Sequence, residues 1–153
     1  MAVGDNCSMC LAKTIKDRKD IALLITRVFV GVIFIAHGLG KFKMGIDTVT
    51  GFFQGLGLPA ASALAWLVTL VELFGGAALL IGVLSRLAAL LLSIIMVAAI
   101  LLVKIKVGLI APMAAPGVGL ELDLALLAGL LAVLLQGPGQ YSVDLRLLKK
   151  ELC

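Results

Sequence analysis

Arg27, His37, Lys41, Glu72, Glu121 and Asp123 are ionisable side chains set inside, or at the ends of, long apolar runs. An ionisable group within a hydrocarbon layer costs about 2.5–3.5 kcal/mol on insertion scales, so each such residue needs a partner or a function. At helical pitch Arg27, Phe34, His37 and Lys41 fall in a stripe about 80° wide. Gly31 and Gly38 flank that stripe. Glycines admit a neighbouring helix closely, so the stripe is expected to face inward. Glu72 lies midway along a later run and shares a face with Ala65, Thr69, Gly75 and Gly76. At 1.5 Å per residue, Arg27 is about 9 Å and Glu72 about 15 Å from the same end of their runs. A guanidinium spans that offset, which predicts an Arg27–Glu72 pair. Such a polar core either fixes helix register or lines a cavity for a proton, a quinone head group or another small ligand.

A second candidate site lies at the opposite, outer mouth, where His37 and Lys41 are expected to meet Glu121. Glu121 shares a face with Ala125, Ala128 and Ala132 and is expected to look inward, with Asp123 pointing elsewhere. The alternative is an ordinary solvated rim. Arg86, Ala89, Ser93 and Lys104 fall on one face of another run, with Arg86 and Lys104 snorkelling to opposite surfaces. His37 is the only histidine, which excludes bis-histidine haem ligation within one chain and a His-rich metal site; no metal is expected. Cys7-Ser-Met-Cys10 is a C-x-x-C pair, a spacing used in redox and metal chemistry. With Cys153 it falls in segments expected to face a reducing compartment, where inert thiols are the expectation. No P-loop, G-x-S-x-G, H-E-x-x-H or dinucleotide fingerprint occurs.

The elements that must position these groups follow from composition. Of 153 residues, 62% are hydrophobic and 14% charged, and the mean hydropathy is +1.20. Soluble domains are about 45–50% apolar and about 25% charged. So small a soluble domain buries only about 70% of its chain surface and could not hide the excess. Lipid must therefore solvate most of this chain, which excludes a soluble enzyme, a nucleic-acid binder and a disulfide-stapled secreted domain. The net charge of +4 fits basic loops at a membrane surface.

Four runs approach the roughly 20 residues that span a bilayer. They cover residues 21–40, 62–82, 87–103 and 120–136, giving an all-α four-helix transmembrane bundle over residues 21–136. Residues 1–20 and 137–153 are then tails. Lys13, Lys16, Arg18, Lys19, Arg86, Arg146, Lys149 and Lys150 fall on one side, and Lys41, Lys43, Lys104 and Lys106 on the other. That imbalance places both termini in the cytoplasm and the protein in the inner membrane. The N-terminal run is too long for a signal peptide and is followed by no small-residue cleavage site. Between the first two spans Phe42, Ile46, Val49, Phe53 and Leu56 recur at helical spacing, which predicts a short interfacial helix or one packed on the bundle mouth. Residues 141–153 read as a short surface helix.

The ordered motifs resemble a known family. They are Arg27-Val-Phe-Val-Gly31, His37-Gly-Leu-Gly-Lys41, Gly55-Leu-Gly-Leu-Pro59, Glu72-Leu-Phe-Gly-Gly76, Leu80-Ile-Gly-Val-Leu-Ser-Arg86 and Gly137-Pro-Gly-Gln-Tyr-Ser-Val-Asp144. Their order and spacing over residues 21–145 are similar to those of the DoxX family of small bacterial and archaeal membrane proteins. The resemblance implies a four-helix fold with cytoplasmic termini. Namesakes are described as the small subunit of a thiosulfate:quinone oxidoreductase or terminal quinol oxidase, and some relatives are linked to thiol and oxidative-stress defence. By motif it carries over Arg27, His37, Lys41, Glu72, Arg86 and Asp144. The expected function is an accessory subunit of a membrane redox system near the quinone pool. It has no intrinsic cofactor, binds a quinone at most, and takes electrons from a protein partner, with a homo-oligomer also open. The alternatives are a structural or assembly protein, and a small-molecule carrier with a continuous polar path from His37 past Glu72 to Arg27.

Overall fold

The computed structural model of the chain describes residues 3–110 and 119–144, with residues 3–17 and 106 as backbone only. The described part is helical. Its elements are α1 (Val3–Met44), α2 (Ile46–Gly55), α3 (Ala61–Ile81), α4 (Ser85–Leu102), a 3-10 turn (Lys104–Lys106) and α5 (Leu120–Gln136). Three segments are long and apolar enough to cross a membrane: Arg18–Met44 of α1, α3 and α4. The helix α5 has the bounds expected for a fourth span and is 17 residues long.

The helix α1 does not stop at the expected tail boundary near residue 20. It is continuous over 42 residues, about 63 Å at helical rise, and so projects well past a hydrocarbon layer about 30 Å thick. Cys7 and Cys10 lie on the backbone-only part of this projection, and Cys153 lies outside the described residues.

Helices α1 and α3 form the tightest pair. A Cβ on Gly31 would sit 2.7 Å from the Gly76 carbonyl oxygen, and one on Gly76 2.8 Å from the Gly31 carbonyl oxygen. A Cβ on Gly38 would lie 3.0 Å from the Leu73 nitrogen. Only hydrogen at these positions lets the backbones touch, as in membrane helix pairs that associate through small residues. These contacts fix an antiparallel register with Gly31 against Gly76 and Gly38 against Leu73.

Val30 and Phe34 of α1, Leu79 of α3, Ala89, Leu92 and Met96 of α4, and Leu126, Leu130 and Val133 of α5 pack into one buried cluster. Outward faces remain apolar, with Phe29, Phe74, Ile94 and Leu135 exposed, the pattern of a bundle solvated by lipid. Two buried hydroxyls are satisfied within their own helices. Thr69 donates to the Ala65 carbonyl and Ser93 to that of Ala89, each at 2.7 Å.

The helix α2 packs against α3 and α1, burying Val49. At the same end Phe42 meets Trp66 edge-on, with ring centroids 5.9 Å apart.

The turn between α3 and α4 is closed by the segment after α5. Gly82 ends α3 with φ +84°, and Leu84, at φ +49°, precedes α4. A side chain strains in this left-handed region, and Leu84 is held there by Asp144. The Asp144 carboxylate accepts from the backbone N–H groups of Leu84 at 3.1 Å and Ser85 at 3.4 Å. The Asp144 N–H donates to the Gly82 carbonyl at 3.1 Å. A carboxylate at a helix N-terminus satisfies free N–H groups and complements the helix dipole. The expected surface helix over residues 141–153 lies mostly outside the described residues. Of its described residues, Ser142 and Asp144 are buried instead of lying on a surface.

Candidate functional site

The polar residues separate into two centres at opposite ends of the bundle. At the first, Arg27 is fully buried. Its Nε donates to the Leu79 carbonyl at 3.0 Å, and its Nη1 donates to the Pro138 carbonyl. Nearby, Asp20 accepts from the Gln140 N–H at 3.2 Å. Arg27 thus ties α1 to the end of α3 and to the strap over residues 137–144. A Cβ on Gly82 would lie 2.9 Å from Arg27 Cζ and 2.9 Å from Ser142 Cα, so the guanidinium fills the space a side chain would take.

The expected Arg27–Glu72 pair does not form. With Gly31 set against Gly76, Arg27 stands level with the C-terminal turn of α3. Glu72 lies seven residues earlier than Leu79, about 10 Å along the axis. Glu72 instead pairs with Lys41, which comes from the other end of the α1 stripe and is much closer in this register. Counting from span ends missed the axial shift that the glycine contacts impose.

The second centre gathers His37, Lys41, Glu72, Lys104 and Asp123. Together with Phe34, Met96, Leu122 and Leu126 they line a cavity of about 250 Å³. Two ion pairs cross it. Lys41 meets Glu72, whose side chain is 7% exposed. Lys104 Nζ lies 4.0 Å from Asp123 Oδ2, an ion-pair distance too long for a hydrogen bond. Asp123 Oδ2 makes no hydrogen bond among the described residues. The Lys104 ammonium therefore turns to α5 instead of snorkelling away. Arg86 is half-buried beside the Leu84–Ser85 turn.

His37 is exposed, and its Nδ1 lies 2.8 Å from the Ile33 carbonyl oxygen. A carbonyl oxygen only accepts, so Nδ1 carries the proton and neutral imidazole keeps its lone pair on Nε2.

Glu121 does not join this site. It is exposed, and Asp123 takes the inward position. The helix α5 buries Asp123, Leu126, Leu130 and Val133, so leucine and valine, not the alanine face, meet the core. In a helix apolar all round, small residues do not by themselves mark the buried stripe.

A second cavity, of about 330 Å³, adjoins the first and is lined chiefly by Phe52, Phe53, Leu56, Leu64, Val68 and Leu102. Lys41, Glu72, Ile95 and Ala99 line both cavities. The Lys41–Glu72 pair therefore stands where an apolar slot meets a polar chamber. Sequence reading supplied His37, Lys41 and Glu72 but missed the slot, whose walls come from α2, α3 and α4. The recurring Phe42, Ile46, Val49, Phe53 and Leu56 were its available signal.

Between the two centres lies a packed apolar layer. Phe34, Leu79, Leu92 and Leu130 are all nearly or fully buried, and the Gly31–Gly76 contact closes the α1–α3 seam.

Comparison with known proteins agrees with this helical membrane architecture. The chain is 36% identical over 137 residues to an "Uncharacterized membrane protein" of Mycobacterium tuberculosis, covering 84% of this chain and 83% of the relative. It is 37% identical over 87 residues to the "Putative oxidoreductase CatD" of Bacillus subtilis, covering 57% of this chain and 63% of the relative. It is 30% identical over 139 residues to the "Inner membrane protein YqjF" of Escherichia coli, covering 89% of this chain and 98% of the relative. No solved structure matches the chain significantly. The DoxX family model matches residues 22–105, a stretch that holds Arg27, His37, Lys41, Glu72, Arg86 and the α1–α3 glycine seam, and the chain belongs to the DoxX family.

Proposed function

We propose that this protein is an accessory subunit of a membrane redox system and binds a quinone-type ligand at the His37 end of the bundle. The observation that carries this reading is the junction of the apolar slot with the charged chamber at Lys41 and Glu72. A quinone has an apolar tail and a ring with two polar oxygens. Ligand sites of this class are mostly apolar with a few placed polar groups. The slot suits the tail, and Lys41 and Lys104 supply donors for a ring oxygen. The name of the Bacillus subtilis relative, an oxidoreductase, is consistent with this role. The residues identified here hold and orient the ligand, and electrons come from a protein partner.

In the same reading α5 is the fourth span. Its 17 residues reach about 25 Å, the short limit for a bilayer. Both termini are cytoplasmic, the His37 end faces out, and α2 lies in the outer interface over the slot. The basic residues near the Arg27 end support this orientation.

The test is extraction from the native membrane into polymer nanodiscs, with mass spectrometry of what co-purifies. Quinone at near-stoichiometric amount, lost in Lys41→Met, supports the reading. Ordinary lipid with no redox protein attached overturns it in favour of a structural or assembly role.

A further inference from the structure

Resting on the reading of α5 as the fourth span, we infer that the segment from Ile105 to Ile110 is a lipid-binding surface. The first turn of α5 holds it in the bilayer interface at the His37 end of the bundle. Its side chains suit lipid. Ile105, Val107, Leu109 and Ile110 are all exposed, Ile110 by 74%. They follow directly on Leu101 and Leu102, which are exposed at the end of α4. No residue from Val107 to Leu120 has a polar side chain. Loops that run through water are punctuated by Ser, Thr, Asn and Asp as well as by Gly and Pro. Here Gly and Pro are the only punctuation.

The backbone suits lipid as well. A helix start leaves four N–H groups without intrahelical partners, and α5 has no side-chain cap. The Leu120 N–H instead donates to the Gly108 carbonyl at 3.1 Å, and the Glu121 N–H to the Leu109 carbonyl at 3.0 Å. The Val107 N–H donates to the Lys104 carbonyl at 2.9 Å. Backbone groups paired within the chain are what a lipid environment requires. The same bonds set the depth, because they hold Gly108 and Leu109 beside the first two residues of α5. That helix reaches only about 25 Å against a hydrocarbon core about 30 Å thick, so neither of its ends projects far beyond the core. A segment tied to its first turn lies at the headgroup–acyl boundary, where apolar side chains enter by about 5–10 Å. Bilayer lipid therefore covers this face, and the segment anchors the end of α5 from which Asp123 lines the chamber.

The test uses the full chain in nanodiscs, with Trp66→Phe removing the one native tryptophan. A tryptophan is then introduced by Ile110→Trp, by Leu109→Trp or, past the middle of α5, by Leu131→Trp. The nanodisc phosphatidylcholine is brominated either near the headgroup end or near the middle of its acyl chains, and iodide is the aqueous quencher. The expected result is that Ile110→Trp and Leu109→Trp lose most of their emission to the headgroup-end bromines, less to the mid-chain bromines and little to iodide. Leu131→Trp reads the span itself and should be quenched best by the mid-chain bromines. If it is, and Ile110→Trp and Leu109→Trp lose more emission to iodide than to lipid, the segment faces water. The inference then falls and the fourth span stands. The same holds if those two variants respond to neither quencher, since a partner protein or a second copy then covers the face. Stronger quenching of them by the mid-chain bromines places the segment inside the core and also overturns the interfacial assignment. Failure of Leu131→Trp to respond to the mid-chain bromines overturns the fourth span and the inference with it.

Discussion

Lys41 of α1 and Glu72 of α3 form an ion pair at the boundary between the apolar slot and the charged chamber. The pair is asymmetric in exposure, with side chains 19% and 7% accessible respectively. Removing the more accessible partner leaves the more buried charge alone. Lys41→Met is therefore expected to destabilise the protein by about 2 kcal/mol, between the values typical of surface and fully buried pairs. Replacing both in Lys41→Met/Glu72→Gln should restore most of that loss. Thermal unfolding of the four members of this cycle in one detergent measures the coupling. Additive losses would show that the pair contributes nothing to the fold.

Arg27 is expected to tolerate no substitution by lysine. Its guanidinium donates from two different nitrogens to carbonyls on two segments, Leu79 and Pro138. A lysine ammonium is a compact point donor without that fork. Arg27→Lys should cost about 2 kcal/mol, of the order of one charge-assisted hydrogen bond. It should also expose the strap, read as faster proteolysis or amide exchange around Gly139–Ser142. Glu72→Gln should leave the strap protected, because the two centres are separated by the Phe34–Leu79–Leu130 layer.

The separation of those centres also shows which features the sequence made legible. The bounds of α3 and α5 were readable because hydropathy and Gly/Pro punctuation set them locally, whereas the polar start of α1 at Val3 was not. The expected run 120–136 coincides with α5, and 62–82 differs from α3 by one residue at each end. Of the expected inward stripe Arg27, Phe34, His37 and Lys41, the first two are buried, Lys41 is half-buried and His37 is exposed; of the expected face of Glu72 with Ala65, Thr69, Gly75 and Gly76, all but the half-buried Gly75 are buried. Partner choice was not readable. It depends on the axial register of two helices, which the Gly31–Gly76 contact decides. The choice of Asp123 over Glu121 depends on rotation of a helix that is apolar on every side. The capping role of Asp144 joins residues 59 and 60 positions apart, a separation no local pattern encodes.

The glycine seam yields a sharper expectation than the charged groups. A methyl at Gly76 would meet the Gly31 carbonyl oxygen at 2.8 Å and the Ile35 nitrogen at 2.9 Å. Both are backbone atoms that cannot turn aside, so the helices must separate. Gly76→Ala should destabilise by about 2–3 kcal/mol despite its higher helix propensity. Gly51→Ala is the control, since a Cβ there meets nothing within 4 Å. Melting temperatures of the two variants decide the matter. A Gly76→Ala protein as stable as the Gly51→Ala protein would mean that the α1–α3 contact is looser than described.

Asp144 should separate charge from hydrogen bonding at the α4 N-terminus. Its two carboxylate oxygens accept from Leu84 and Ser85, and it is 1% exposed. Asp144→Ala removes both acceptors and leaves the turn at Leu84 tied to residue 144 only through the backbone bond to the Gly82 carbonyl. Loss of a helix cap costs about 1–2 kcal/mol, offset in part where Leu84 relaxes out of its strained conformation. Asp144→Asn keeps one acceptor oxygen but loses the charge opposite the helix dipole, so it should fall between wild type and Asp144→Ala. Leu84→Gly removes the strain at its source and should stabilise the wild-type background at least as much as the Asp144→Ala background, where the turn is free to relax. That sign pattern, measured as unfolding free energies, distinguishes a cap that restrains a strained turn from a carboxylate that is merely buried there. If Leu84→Gly destabilises both backgrounds equally, the turn is not under strain and Asp144 acts through its hydrogen bonds alone.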